Sequence, residues 1–359
     1  MNLLQRFDQF AHSLHSKDRI ALIHDLDPDG ISSGVITAHA ILLIRRKKID
    51  HIMYQKPGEI PLTEKTIKIL KKKKINKIIT TDKAIDQNPK TLKAAAAFAD
   101  LVIFDHHKIY EKKVPQNVLL LKPQLIHSPV DPSRYCTAKL CYDLWSRHVN
   151  LTPYAWKACP GIIGDMAYLQ WKSFVDNEIT KHGYQTTKNP FDMIFGKIAE
   201  LCSQTECYDY RKVKRVFAIL WKAKKPEEVL QSELKKYQKF VQKEIDYYKK
   251  NMKKLAEFYP KKELIFYVIT PKYNIKSNLS TILSMKEPHK TMILASLDKQ
   301  KKGYTLSLRR QDQKVKMNDL VEKALSGLQG SGGGHIPAAG GRVAKKDFLK
   351  FKERILEMV

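Results

Sequence analysis

Short apolar runs of strand length recur along the N-terminal half of the chain, with helix-length segments between them, and each run ends in a polar cluster. Ile20-Ala-Leu-Ile23 opens into His24-Asp-Leu-Asp-Pro-Asp-Gly30, a run over 75–80 ends in Thr81-Asp82, and Leu101 to Phe104 ends in Asp105-His106-His107. Between them the spacing of Val35, Ala38, His39, Leu42 and Leu43 predicts a helix from about Ser32 to Arg46, and further helices fall near Leu62 to Lys73 and over 91–98. With a strand at His51 to Tyr54, this alternation predicts an α/β domain built on a doubly wound, mainly parallel sheet. In such a sheet the ligand crevice lies at the carboxyl ends of the strands, where all three clusters fall.

The remainder divides in two. From Phe191 to about Met252 no strand is evident, and Glu227 to Phe258 reads as one long helix with an irregular apolar stripe. Between Arg211 and Lys254 there are fifteen Lys and Arg against five acidic residues, a run that suits either a solvated face or a phosphate track. From Glu263 strands and helices alternate again, with Tyr304 to Leu308 ending in Arg309-Arg310. The predicted plan is a sheet domain over 1–190, a helical connector over 191–258 and a smaller α/β domain over 259–359.

Charge narrows the class of partner. The 65 Lys and Arg outnumber 37 Asp and Glu, a formal charge of +28 that favours a polyanion and speeds association with it. Five cysteines without CxxC spacing read as reduced thiols of a cytosolic protein. No run approaches the ~20 apolar residues of a membrane span, and the N-terminus lacks a signal-type core, so the expectation is a cytoplasmic protein without a membrane partner.

The clusters carry the chemistry. Asp25, Asp27 and Asp29 alternate around a Pro28–Gly30 turn, and like charges so close raise one another's pKa unless a divalent cation compensates. An EF-hand loop is excluded, because position twelve counted from Asp25 is Ile36 and not glutamate. Adding Asp82, Asp105, His106 and Asp165, which ends an apolar segment at 161–164, provides ligands for two ions. Imidazole favours Mn²⁺ over Mg²⁺, and a metal pair can clamp a phosphate and activate water. Separately, Gly330 to Gly334 offers unobstructed backbone N–H groups in a small concavity, with His335 as a side-chain donor and Arg309 at a nearby strand end.

Asp27-Pro-Asp-Gly30, Asp82, Asp105-His-His107 and Asp165 resemble the four motifs of the DHH phosphoesterase superfamily. Gly332-Gly-Gly-His335 resembles the signature of the DHH-associated C-terminal domain, most closely in the RecJ-like and oligoribonuclease-like branch. That resemblance implies a Mn²⁺-dependent exonuclease on single-stranded DNA or short RNA. The alternative within the same superfamily is a phosphoesterase of nanoRNA, cyclic dinucleotides or bisphosphonucleosides. It further implies that Asp27 and Asp82 hold one metal, helped by His24 or Asp25, and that Asp29, Asp82, His106 and Asp165 hold the second. His107 would face the scissile phosphate, Asp105 would orient a neighbouring imidazole, and Arg309, Gly332, Gly333, Gly334 and His335 would seat a substrate phosphate. With the chain ending at Val359, the OB-type domain of bacterial RecJ is expected to be missing and short oligonucleotides to be preferred. A homodimer through the sheet domain, and replication or repair proteins, are the protein partners the reading allows.

Overall fold

Five runs rich in Ile, Leu and Val form a parallel sheet: β1 (Ile20–His24), β2 (His51–Tyr54), β3 (Lys77–Thr81), β4 (Asp100–Phe104) and β5 (Val118–Leu121). Their order is β2-β1-β3-β4-β5, and β1, β3 and β5 are buried along their whole length. Near-continuous apolar strands are what a parallel sheet covered on both faces requires. In the computed structural model, which describes residues 2–57, 59, 62–298 and 302–359, this sheet belongs to the first of two compact units, divided after Lys236.

The helices of the first unit are α1 (Leu3–Ser13), α2 (Pro28–Arg45), α3 (Glu64–Lys72), α4 (Pro89–Ala96), α5 (Thr137–Trp145), α6 (Cys159–Gly164), α7 (Lys172–Lys181), α8 (Ile194–Tyr208), α9 (Val213–Lys222) and α10 (Pro226–Leu230). Ile67 and Leu70 of α3, with Leu92 and Ala95 of α4, pack on Ala21, Ile23, Ile78, Leu101 and Ile103 of the sheet. On the other side lies α2, apolar nearly all round and buried over most of its length, packed against α5, α6 and α9. A helix hydrophobic on every face is a core helix.

The second unit opens within α11 (Lys235–Leu255). It continues through β6 (Glu257–Tyr259), β7 (Leu264–Ile269), α12 (Lys276–Lys286), β8 (Thr291–Asp298), β9 (Gly303–Arg309), α13 (Met317–Leu325), β10 (Gly330–His335), β11 (Ala338–Ala344) and α14 (Phe348–Met358). Its sheet, ordered β10-β11-β9-β8-β7-β6, is mixed, with β7 and β8 its parallel pair. Leu320, Val321 and Ala324 of α13 and Phe351 and Ile355 of α14 pack on Phe266, Ile293, Leu306 and Leu308.

The expected α/β architecture in two domains is therefore present. The helical stretch after residue 190 is divided differently: α8, α9 and α10 belong to the first unit, leaving no separate connector body. The long helix read over Glu227 to Phe258 breaks at 231–234. There the Ser232 hydroxyl donates to the Val229 carbonyl (2.6 Å) and Leu234 is fully buried, so local side-chain bonding and burial outweigh helix continuity. Among the described residues no helix is long and apolar enough to cross a membrane.

Candidate metal centre

The ladders of the first sheet run one residue past the strands, and those residues are acids. The Asp25 N–H donates to the Thr81 carbonyl (3.2 Å), that of Asp82 to Phe104 (2.8 Å), and that of Asp105 to Leu121 (3.1 Å). Three carboxylates thus stand on adjacent strands, roughly 5 Å apart along the sheet. The strand order reverses between β1 and β3, so Asp25 and Asp82 flank the switch point at which open α/β sheets bind ligands.

The turn after β1 adds two more acids. Asp27 is the N-cap of α2, its Oδ1 accepting from the Gly30 N–H (2.8 Å), with Pro28 in the first turn. Asp29 reaches across to a second helix start, accepting from the N–H groups of Thr137 (2.8 Å) and Ala138 (2.7 Å) in the first turn of α5. A side chain at Gly30 would put its Cβ 2.5 Å from that of Asp25, so glycine alone lets α2 begin this close to the strand. At Gly161 a Cβ would sit 2.6 Å from that of Ala138 and 3.0 Å from Asp29 Oδ1. The missing side chain brings α6 against the cluster, and Asp165 caps its end.

The loop after β4 supplies nitrogen. His106 Nε2 lies 3.6 Å from Asp82 Oδ1 and His106 Nδ1 lies 3.7 Å from Asp165 Oδ2. His107 Nδ1 is 2.6 Å from Asp105 Oδ1 and 4.0 Å from Asp82 Oδ1. Among the described residues two groups of side chains consequently bring donor atoms close enough to share an ion: Asp82, His106 and His107, and Asp29, His106 and Asp165. Asp82 also accepts from the Thr137 hydroxyl (3.0 Å), and its backbone takes the left-handed conformation, φ +60°.

Electrostatics test whether a cation fits. Burial, with the Asp165 charge next, pushes Asp29 up to about 7, and burial with the Asp29 charge pushes Asp82 up to about 7. Asp27 keeps an exposed surface, yet it too stands well above the ordinary carboxylate range, from the protein crowded around its carboxylate and then from Asp82 and Asp25. Burial opposes a charge on His106, but the carboxylates of Asp165 and Asp82 outweigh it and raise the imidazole to about 9. These acids are costly to ionise together, and with imidazole nitrogen they form a donor set that suits a transition-type divalent ion. The residues present fit such an ion.

Asp105 stands apart. It is fully buried but held low by His107 and by Lys122, whose Nζ lies 2.7 Å from its Oδ2. The same ammonium meets Asp86 (3.1 Å) and the carbonyls of His107 (3.2 Å) and Lys108 (2.8 Å), so it pins the histidine loop from beneath. Asp105 accordingly lies against His107 as the neighbouring imidazole, whereas His106 is placed by Asp82, Asp165 and the Pro132 carbonyl (3.3 Å).

His24 lies outside both groups. Its ring is buried, stacked on Phe217 at 4.9 Å, with Nδ1 2.7 Å from the Asp25 carbonyl, and burial lowers it to about 4. Asp25 faces the cluster and pairs with Lys83 (2.5 Å). Lys83, Lys122, Asp86 and Thr137 are functional neighbours that sequence reading missed, as is half-buried Glu206 of α8, which burial and then Asp27 and Asp25 push up to about 8.

The other expected residues lie in the second unit. Gly332 to His335 do not fold into a concavity; they are β10, an edge strand whose backbone is laddered to β11. At Gly332 a Cβ would strike Val321 (2.8 Å) and Leu325 (2.9 Å) of α13, and at Gly334, with φ +149°, the Ala338 carbonyl (2.6 Å). Close packing explains both. Gly333 is different, with only Glu322 near, at 3.4 Å. His335 pairs with Ala338, which pairs in turn with Arg309, placing the two cationic positions two strands, or about 10 Å, apart.

The DHH family N-terminal domain matches residues 19–164, and the DHHA1 domain matches residues 265–359. The fold is that of the DHH superfamily. No curated protein matches the chain. Solved structures with this DHH fold include a DHH domain described as a member of a family of ribosomal proteins, at TM-score 0.75 and 14% identity, covering 99% of this chain and 89% of that one. RecJ from Thermus thermophilus in complex with Mn²⁺ aligns at TM-score 0.70 and 16% identity over 98% of this chain. The chain spans about half of that protein's length, 53%. An exonuclease RecJ bound to manganese aligns at TM-score 0.67 and 16% identity, covering 99% and 93% of the two chains.

Proposed function

We propose that this DHH protein is a divalent-metal-dependent phosphodiesterase, an exonuclease that releases nucleotides from single-stranded DNA or RNA. The observation that carries the reading is the group of buried acids at the ends of β1 and β3, raised in pKa and gathered around His106. Asp29, His106 and Asp165 would hold one ion, and Asp82 with Asp27 and Asp25 a second. The chemistry such ions supply when bound is neutralisation of phosphate charge and a water acidic enough to attack phosphorus. Mn²⁺ suits the mixed oxygen and nitrogen donors better than Mg²⁺.

The chain's own groups do the rest. Asp105 and Lys122 fix the His107 ring at the edge of the cluster, where it would face the scissile phosphate. Lys83, beside Asp25, adds positive charge at the mouth. In the second unit Arg309 and His335 would seat a phosphate of the substrate. Titratable groups so strongly perturbed in one place are a mark of a reactive centre.

Single strands of graded length, labelled at the 5′ or the 3′ end, test the reading in Mn²⁺. Stepwise release of mononucleotides is expected, abolished by EDTA and slowed roughly 10³-fold by Asp82→Asn. Full activity in Asp82→Asn would sink the metal assignment. Turnover of dinucleotides alone, with longer strands untouched, would move the substrate to the small-molecule class.

A further inference from the structure

A cavity of about 290 Å³ opens on the far side of β1 from the acids. Its walls are Ile52 and Tyr54 of β2 and Phe217, Ala218 and Trp221 of α9, and His24 forms its back. The periodicity of α9 explains it. Val213, Val216 and Leu220 face the core, while Lys214, Phe217, Ala218, Trp221 and Lys222 recur at the three- and four-residue spacing of a neighbouring face. That face carries a half-buried indole with a lysine at each end. Lys48 lies over the Trp221 ring, its Nζ 5.0 Å from the ring centre, and His39 stacks on the same indole with centroids 5.9 Å apart.

A cavity this size is near the lower end for ligand pockets, and apolar walls with a few polar groups are their usual lining. Ile52 remains 41% exposed and Trp221 is half-buried. Flat apolar walls suit a planar heterocycle, and three ammonium groups suit phosphate. Aromatic faces combined with lysines are how proteins hold single-stranded nucleic acid without reading its sequence. Placement adds to this: His24 at the back of the cavity and Asp25 at the acids are consecutive residues, so the cavity and the cluster share the carboxyl end of β1 from its opposite sides.

We propose that this cavity is a nucleobase pocket, in which one base of a single-stranded substrate takes the place of the Lys48 ammonium over the Trp221 ring while Lys48, swung aside, joins Lys214 and Lys222 in meeting the adjoining phosphates. The proposal rests on the nucleic-acid reading given above but not on catalysis, and it gives part of the basic run between Arg211 and Lys254 a defined task.

Binding is measured in EDTA, where no turnover occurs, with a labelled 5′-phosphorylated thymidine tetranucleotide and its abasic counterpart. The wild type is expected to prefer the tetranucleotide by about tenfold. Trp221→Ala should erase that preference and Trp221→Phe should keep most of it, with thermal unfolding showing that both variants fold. Lys214→Glu combined with Lys222→Glu should weaken both probes about tenfold and flatten the salt dependence. A base-versus-abasic ratio unmoved by Trp221→Ala overturns the pocket, as do lysine reversals without effect. If the expected binding occurs but Mn²⁺ elicits no cleavage, the enzymatic reading falls and the pocket stands. Cleavage with an unmoved ratio means the reverse.

Discussion

The acid cluster of the first unit and the glycine strand of the second both look costly in sequence, but the structure accounts for them differently. The glycines of β10 are explained within the protein, because α13 occupies the space a side chain at Gly332 would need. Asp27, Asp29 and Asp82 are not explained so, since the N–H, hydroxyl and imidazole groups around them leave each still pushed toward protonation by burial and by neighbouring carboxylates. A costly residue whose neighbours account for it speaks of packing. One whose neighbours aggravate it calls for something from outside, here a cation. Asp105 is the internal control, as buried as Asp29 and Asp82 but compensated by His107 and Lys122.

The largest effect should come from Asp82→Asn, which removes a charge from the middle of the cluster and should slow nucleotide release by roughly 10³-fold, measured at saturating Mn²⁺. Lys122→Met sharpens the contrast from the other side. It strands Asp86 and Asp105 without their cation and should cost about 3–5 kcal/mol in urea unfolding, whereas a metal ligand removed from the cluster should not. Gly332→Ala should cost about 1–3 kcal/mol by overpacking against α13. Gly333→Ala should stay within about 0.5 kcal/mol, because only one flexible carboxylate is near. If Gly333→Ala nonetheless raises KM for oligonucleotides, the hairpin touches substrate and the comparison breaks.

The pH dependence is the subtlest test. Asp29 and Asp82 move from 3.8 to about 7 on folding, so these two sites hold more protons in the native chain than in the unfolded one across that range. Their contribution to the stability of the metal-free protein, read as the difference between wild type and Asp82→Asn, should therefore fall as pH rises from about 4 to 7. Saturating Mn²⁺ should offset the loss, and its apparent affinity should rise about tenfold per pH unit for each proton displaced. Calorimetric titrations at pH 6 and 7 in buffers of different ionisation enthalpy would count those protons. An affinity independent of pH would contradict the electrostatics described for the cluster.

Much of the centre was legible in the chain because acids at the ends of apolar runs are conspicuous. Asp27, Asp29, Asp82, His106 and Asp165 do come together, and their strands lie within a residue or two of where the apolar runs predict. Lys122, Lys83 and Asp86 were not legible, since one lysine among 65 basic residues carries no local signal and its partners are distant in sequence. His24 misled through adjacency. Successive residues of a strand point to opposite faces, so it turned to Phe217 while Asp25 faced the acids. Strands β10 and β11 escaped because glycine is a poor strand former, and only the packing of α13 makes it suitable there.

The backbone of Asp82 restricts what can replace it. At φ +60° most side chains crowd the preceding carbonyl, and aspartate, asparagine and glycine are the residues that adopt this conformation readily. Glutamate carries the same charge but lacks the short polar side chain that makes the left-handed region tolerable. The position is thus filtered twice, by shape to a few residue types and by charge to one of them. Asparagine passes the first filter and fails only the second, whereas alanine fails both. The difference between the two variants would isolate what the conformation itself contributes.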